Sequence, residues 1–255
     1  MNCKICNTGS SVFDKALLMT KYNVTYYHCP HCGFVQTEDP YWLSEAYSDA
    51  IADSDIGLIA RNIYLSNIID TILKILNPTS QLLDYGGGYG MFVRMMRDKG
   101  WDFEWHDEYC QNLFAKGHEM KQQHYEIITS FEMLEHLPNP MVMFEKLFAL
   151  SETLICTTEI IPQHPPKIND WWYYATETGQ HIAFYTRESL QVVADKFKKH
   201  LYAKHGIIIF SNEEIPSKKI NLTFNHPKLA KLVLPLSNRP SLLASDYKQL
   251  TGKTI

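Results

Sequence analysis

Positive charge is in short supply in this 255-residue chain: 24 Lys and Arg stand against 28 Asp and Glu, for a formal net charge of −4 and a pI near 6.2. A duplex nucleic-acid partner calls for clustered cations, so none is expected. The nearest thing to a basic run, residues 196–200, falls on an expected helix and reads as a solvated face. Long apolar runs are missing too. No stretch approaches the ~18 residues of a membrane span, and the opening MNCKICNTGS has no basic segment followed by an apolar one. A soluble cytoplasmic protein with no membrane partner is expected. Internal repeats and low-complexity tracts are absent. Six cysteines in such a chain argue for metal binding or burial rather than a disulfide framework.

What is present is an alternation of short apolar strands and amphipathic helices. Apolar residues Ile56, Ile59, Ile63, Ile69, Ile72, Leu73 and Leu76, mostly three and four apart, predict a helix over 55–76 with these residues on one face, ended by Asn77-Pro78. Residues 80–85 then read as a buried strand, 91–99 as a helix closed by Gly100, 102–108 as a strand, and 109–116 as a short helix. A further strand over 125–134 leads to Asn139-Pro140, a helix start, and that helix runs to about Leu150. The strand at 153–161, a helix capped by Thr186 and running to about Phe197, and the strand at 206–211 complete the pattern. The alternation predicts an α/β, doubly wound, mostly parallel sheet. Residues 1–45 show little periodicity, and 226–236 could form a short helix stopped by Pro235.

Glycine is also scarce, 12 in all, yet four fall at positions 86, 87, 88 and 90, directly after the apolar strand that ends in Asp84. A strand that turns on glycines into a helix can bring bare backbone N–H groups against a ligand. The spacing is Asp84-x-Gly86-x-Gly88-x-Gly90. A dinucleotide fingerprint would need glycine at 91, where the chain has Met91. A second acid, Asp107, lies about 20 residues on, with Glu108 as its neighbour and rival.

This pattern resembles motif I of class I S-adenosylmethionine-dependent methyltransferases. The segment from Tyr125 to Pro140, with Phe131, Glu132, Glu135 and His136, is similar to that family's fourth-strand segment, and "TGQHIAFYTRESL" resembles a later one. The resemblance covers roughly residues 50–211. It implies a Rossmann-like methyltransferase sheet in which Asp84, Gly86, Gly88, Gly90, Asp107 and Glu132 bind S-adenosylmethionine. Near residues 116–123, where the family helps to hold adenine, the strand is short and lacks an Asp.

Cys3-x-x-Cys6 and Cys29-x-x-Cys32, with 22 residues between the pairs, suit a tetrahedral structural zinc; each pair supplies two thiolates, and Gly33 supplies a turn. His28 and His31 flank the second pair as alternative ligands. Cys110 and Cys156 read as packing residues. The segment from Cys29 to Tyr47 is similar to the zinc-binding amino-terminal part of sugar C-methyltransferases, and the short chain resembles methyltransferases found with surface-polysaccharide genes. The implied organisation is a zinc-binding module over 1–45, a methyltransferase domain over 46–214, and a C-terminal extension over 215–255 that packs on the core or serves as a lid.

Methyl transfer from a sulfonium requires positioning and desolvation, and a hydroxyl acceptor benefits from a base. His181 is the first candidate and His136 the second, with Glu132 and Glu177 behind them. The aromatic run Trp171, Trp172, Tyr173, Tyr174 could stack on a sugar or nucleotide, or form an apolar lid. The expected activity is O-methylation of a small-molecule or nucleotide-sugar precursor of a capsular polysaccharide. Methylation of a phosphorylated capsule modification and sugar C- or N-methylation are the alternatives. A nicotinamide oxidoreductase and a non-catalytic zinc-ribbon protein are the rival classes.

Overall fold

The computed structural model describes residues 1–47, 56–162, 164–226, 229–230 and 239–254. Its larger sheet has six strands: β4 (Leu82–Tyr85), β5 (Phe103–His106), β6 (Tyr125–Phe131), β7 (Ser151–Thr157), β9 (His200–Lys204) and β10 (Ile207–Ser211). Their order is β5-β4-β6-β7-β10-β9. β4 pairs in parallel with β5 and with β6, and β9 pairs antiparallel with β10. The strands at 82–85 and 207–211 are buried along their whole length, as unbroken apolar runs demand in a sheet covered on both faces. The doubly wound, mostly parallel sheet with flanking helices is the arrangement expected. Strand β9 is an addition: residues 200–204 follow a helix that stops at Lys196, so the basic run over 196–200 straddles a helix end instead of lining a helical face.

Contacts along the chain group into two compact units: Met1–Asp53 with Phe131–Ala149 and Ile155–Asn212, and Ser54–Ser130 with Leu150–Leu154 and Glu213–Ile255.

In the first unit, residues read as irregular form a second, antiparallel sheet. β1 (Ser11–Leu18), β2 (Tyr22–His28), β3 (Val35–Thr37) and β8 (Ala183–Phe184) lie in the order β1-β2-β3-β8. The β1–β2 turn is closed by Lys21 N–H donating to Leu18 O at 2.9 Å, with positive φ at both Met19 and Thr20. That is the primed geometry that matches strand twist, here without the usual glycine or asparagine. Tyr26, Trp42, Tyr173, Tyr174 and Phe184 share one buried cluster under this sheet. The aromatic run therefore splits: Tyr173 and Tyr174 are core, whereas Trp172 stays 74% exposed. Short helices α1 (Leu43–Ala46), α4 (Pro140–Leu150) and α5 (Arg187–Lys196) belong to the same unit. Thr186 caps α5 through a reciprocal capping box with Ser189, as expected.

The second unit carries α2 (Leu58–Leu76), α3 (Met91–Asp98), α6 (Ser217–Asn225) and α7 (Leu243–Thr251). The expected start of α2 at Asp55 and most of the helix expected over 226–236 fall outside the described residues. The helix at α2 buries Leu65, Ile68, Ile69, Ile72 and Leu73, but Ile56, Ile59 and Ile63 are exposed. Its partner α3 has 8 residues, about 12 Å, and so covers less than half of the ~28 Å length of α2. The helix expected at 109–116 does not form. Asp107 accepts from the N–H groups of Tyr109 and Cys110, and the Asn112 side chain accepts from Ala115 N–H, so local side-chain bonds replace helical ones.

The tail is fixed by charge. Arg97 grips Asp246 of α7 with two 2.8 Å bonds and also bonds Asp102; Arg94 adds a third bond to Asp246 at 2.8 Å. Asp246 is 2% exposed and Arg97 5%. Removing one partner of such a pair leaves a buried charge unmet. Asp246→Ala should cost about 3 kcal/mol in chemical denaturation, and Asp246→Asn should cost less by retaining hydrogen-bond acceptance.

Candidate functional site

The turn after β4 is built from its own backbone outward. The N–H groups of Gly86 and Gly87 both donate to His106 O, at 2.8 and 3.0 Å, and Gly90 N–H donates to Gly87 O at 3.0 Å. Gly88 N–H donates to Asp107 Oδ2 at 2.9 Å, and Trp105 Nε1–H donates to Gly88 O at 2.9 Å. The donors expected to face a ligand at these four positions are thus spent inside the protein. What the turn offers is shape. A Cβ at Gly87 would sit 2.8 Å from both Asp84 Oδ2 and Trp105 Cδ1, while one at Gly88, φ +54°, would meet nothing within 4 Å. Gly87, a residue the sequence pattern treats as variable, is crowded, and so is Gly90, where a Cβ would sit 2.9 Å from Ala115 Cβ; Gly88 is the open position.

Asp84 is 2% exposed and accepts a 2.7 Å hydrogen bond from Thr129 Oγ1 on β6. Burial pushes its carboxyl up to about 7, against the Thr129 bond, and the nearby Asp107 charge adds to the rise. Among the described residues it forms no ion pair. Asp107 is half-buried and spends Oδ2 on Gly88 and Oδ1 on Tyr109 and Cys110, which leaves one lone pair, on Oδ2, for a ligand. Glu108 is exposed, which favours Asp107 over its neighbour. Residues 118–120, the weak point of the sequence pattern, sit beside Trp105: its N–H donates to His118 O and its carbonyl accepts from Met120 N–H, both at 2.8 Å.

A separate cluster forms in the first unit. Glu132 sits at φ +49°, a conformation costly for a residue with a side chain, and its Oε1 accepts from Thr157 Oγ1 at 2.6 Å. His136 Nδ1 lies 2.8 Å from Tyr47 Oη and 3.2 Å from Gln180 O. His181 Nδ1 lies 2.7 Å from Tyr173 O, and the His136 and His181 rings meet edge to face with centroids 4.8 Å apart. Burial lowers the His181 pKa against the raising effects of the Tyr173 carbonyl, Glu132 and Glu177. Glu135, fully buried, accepts from Tyr173 Oη at 2.7 Å. The structure thus brings His136 and His181 together, with Glu132 close enough to act on His181. Tyr47 is a participant that the pattern reading left out, while Glu135 and Tyr173 were named there without a part in this cluster; the adjacency of Glu135 to His136 was the available signal.

The four cysteines converge as their spacing suggests. All four Sγ atoms lie within 4.8 Å of one another, with Cys3–Cys32 at 3.6 Å and Cys6–Cys29 at 3.5 Å. A disulfide would bring two sulfurs to about 2.05 Å, whereas a tetrahedral shell at about 2.3 Å from zinc has sulfur–sulfur edges near 3.8 Å. The donor set fits zinc, and His28 and His31 lie outside it. Gly33 has φ +72°, and a Cβ there would sit 2.7 Å from Thr186 Cγ2. Thr186 Oγ1 in turn donates to Cys32 O at 2.6 Å, so the second cysteine pair is seated on the residue that caps α5.

The raised carboxyl of Asp84 has a consequence for stability. Its folded-state pKa lies above the unfolded value, so folding is penalised as pH rises from about 4 through 7, and the penalty is complete above 7. Asp84→Asn should therefore raise stability at pH 8, by at most about 4 kcal/mol, with the gain vanishing near pH 4. Denaturant melts at the two pH values measure it.

Comparison with known proteins follows the same lines. Solved structures similar to this chain include human N-acetylserotonin methyltransferase in complex with SAM (11% identity, covering 68% of this chain and 66% of that one, TM-score 0.41). Magnesium protoporphyrin IX methyltransferase from Synechocystis PCC 6803, with bound SAM, has 11% identity over 67% of this chain and 90% of its own, TM-score 0.38. An O-methyltransferase family protein from Burkholderia thailandensis has 11% identity over 69% and 65%, TM-score 0.44. The alignment spans just under two thirds of the human and Burkholderia chains. No curated protein matches significantly in sequence. The family pattern described as a methyltransferase domain matches residues 60–197, more than half of the chain, from the first turn of α2 through the glycine turn and the histidine cluster to the end of α5. The chain belongs to that methyltransferase-domain family.

Proposed function

We propose that the protein transfers a methyl group from S-adenosylmethionine to a hydroxyl of a small molecule. The observation that carries this reading is Asp84: a fully buried carboxyl with one hydroxyl partner, Thr129, at the end of the strand that enters the glycine turn, its charged form disfavoured by burial. S-adenosylmethionine brings an ammonium and a sulfonium, and an ammonium beside Asp84 restores the charged form. A nicotinamide dinucleotide brings a pyrophosphate instead. The glycine N–H groups that would bind it are occupied at 86, 87, 88 and 90, and both acids repel it. Gly86 and Gly88 make room for the cofactor, Gly90 lets the turn pack against Ala115, Asp107 takes the ribose hydroxyls, and Glu132 completes the set.

His181 and His136 promote loss of the acceptor's proton. The carboxylates acting on His181 are those of Glu132 and Glu177. Such a field disfavours a phosphate oxygen as the methylated atom and favours a neutral hydroxyl. That the acceptor is a sugar or nucleotide-activated sugar of a surface polysaccharide rests on the resemblance of residues 29–47 to sugar methyltransferases. Four cysteine thiolates, Cys3, Cys6, Cys29 and Cys32, hold a structural zinc.

Calorimetry tests the cofactor. S-adenosylmethionine and S-adenosylhomocysteine should both bind, more weakly below pH 7 where Asp84 holds its proton, and NADH should give no heat. Gly88→Val should abolish binding by filling the open position. NADH heat without heat from either methyl-cofactor species would overturn the assignment.

Metal content tests the cysteines. Protein purified without chelator should carry about one zinc per chain, and Cys29→Ser should lose it together with the fold of the β1–β3 sheet. Four titratable thiols in an intact, zinc-poor protein would refute the site.

A further inference from the structure

Glu135, His136 and His181 each place one side-chain ligand atom within 4.8 Å of the other two. We infer that these three side chains form a second metal centre, a two-histidine, one-carboxylate site for a divalent first-row transition ion such as Mn²⁺ or Fe²⁺, separate from the four-cysteine cluster.

The donor set is the first argument. Two imidazoles and one carboxylate suit manganese, iron, cobalt or zinc and leave coordination positions for a substrate, whereas calcium and magnesium favour oxygen shells. The outer shell is the second. Metal-bound histidines donate their other ring N–H to a carbonyl or carboxylate, which fixes the tautomer. A carbonyl only accepts, so the 2.7 Å contact with Tyr173 O puts the proton of His181 on Nδ1 and leaves the Nε2 lone pair for a metal. His136 Nδ1 lies 3.2 Å from Gln180 O, a partner that only accepts, and 2.8 Å from Tyr47 Oη; in the tautomer that donates to Gln180 O, the Nε2 lone pair serves a metal in the same way. Glu135 Oε1 is held by the Tyr173 hydroxyl at 2.7 Å, and that hydroxyl is 3.1 Å from Thr158 Oγ1. Tyr173, itself 1% exposed, thus orients two of the three ligands, one through its hydroxyl and one through its carbonyl. Charge is the third argument. Glu132 and Glu177 both act on His181, so a divalent cation enters a field already negative.

The inference rests on the reading that this cluster serves the methyl acceptor. There the ion supplies Lewis acidity toward the acceptor oxygen, easing departure of its proton to water. The oxygen lone pair forms the new O–CH₃ bond as the S–CH₃ pair returns to sulfur, and nothing is oxidised or reduced.

Titration of the zinc-loaded protein with Mn²⁺, read by the electron paramagnetic resonance signal of the unbound ion, tests the centre. One equivalent should be taken up, and Fe²⁺ or Co²⁺ should compete for it. Tyr173→Phe should weaken binding by about 10–100-fold, the usual effect of an outer-shell loss. His181→Asn, His136→Asn and Glu135→Gln should each weaken it further, with S-adenosylhomocysteine affinity unchanged. The two histidines are partly exposed, so their variants carry the test if the buried Glu135 variant fails to fold. No uptake by the wild type, or uptake indifferent to His181→Asn, would overturn the centre. Wild-type turnover unaffected by metal removal would do so too while leaving the methyltransferase reading intact. Absence of S-adenosylhomocysteine binding would instead sink that reading.

Discussion

A carboxylate taken out of water sets the terms for the second unit. Asp84 ends a strand whose residues are all buried, and the fold gives it the Thr129 hydroxyl as a partner. A hydrogen bond to a charged group contributes about 1.5–3 kcal/mol, too little to offset full burial, and the carboxyl is displaced upward. The surroundings can be read from that imbalance. Trp105 closes one side and leaves no room for a side chain at Gly87, while Gly88 is pinned by the same indole and by Asp107 with open space beyond its Cα. Burial makes the negative charge of Asp84 costly, and a cation beside it would lower that cost.

The first unit depends on a different kind of junction. Thr186 caps α5, bonds the carbonyl of Cys32 and crowds Gly33, so one threonine ties a helix start to a cysteine knuckle. Gln36 does similar work on the other side, accepting from Lys4 N–H at 2.8 Å and donating to Asn2 O at 3.0 Å. The cysteine cluster is therefore fastened to elements distant in sequence. β3 pairs with β8 nearly 150 residues on, and Trp42 Nε1–H donates to Gly179 O at 2.8 Å. The residues from Gly179 to Phe184 that form this seam also include His181. The cysteine cluster and His181 are thus held by neighbouring stretches of the chain, Thr186 for the one and residues 179–184 for the other.

The elements legible in the sequence are those whose signals are local. Asn139-Pro140, Thr186 and the glycine turn each announce a boundary by chemistry within four residues. The β1–β2 hairpin was invisible because Met19 and Thr20 take positive φ without being glycine or asparagine, so the turn lacks its usual mark. The exposed isoleucines at the start of α2 misled for a related reason: periodicity shows which residues share a face, not how far the partner helix extends. At the site, the acids and glycines were legible as a pattern. That the glycine N–H groups are consumed internally was not, since it depends on His106 O, which a strand pairing brings into place. Tyr173 escaped notice because it reads as one aromatic among four, and its role comes from a hydroxyl and a carbonyl aimed at different residues.

The two clusters divide the chemistry between binding and reaction. An ammonium held by Asp84 has the same charge before and after methyl transfer, so that interaction is equal in ground and transition states and strengthens cofactor binding without accelerating the chemical step. The charge that changes is at the sulfonium, which becomes a neutral thioether, and at the acceptor oxygen, which loses a proton. Only groups facing those atoms can lower the barrier. On the proposed reading, the change at the acceptor oxygen is met by the ion that Glu135, His136 and His181 hold. That reading assigns rate to the histidine cluster and affinity for the donor to the glycine turn.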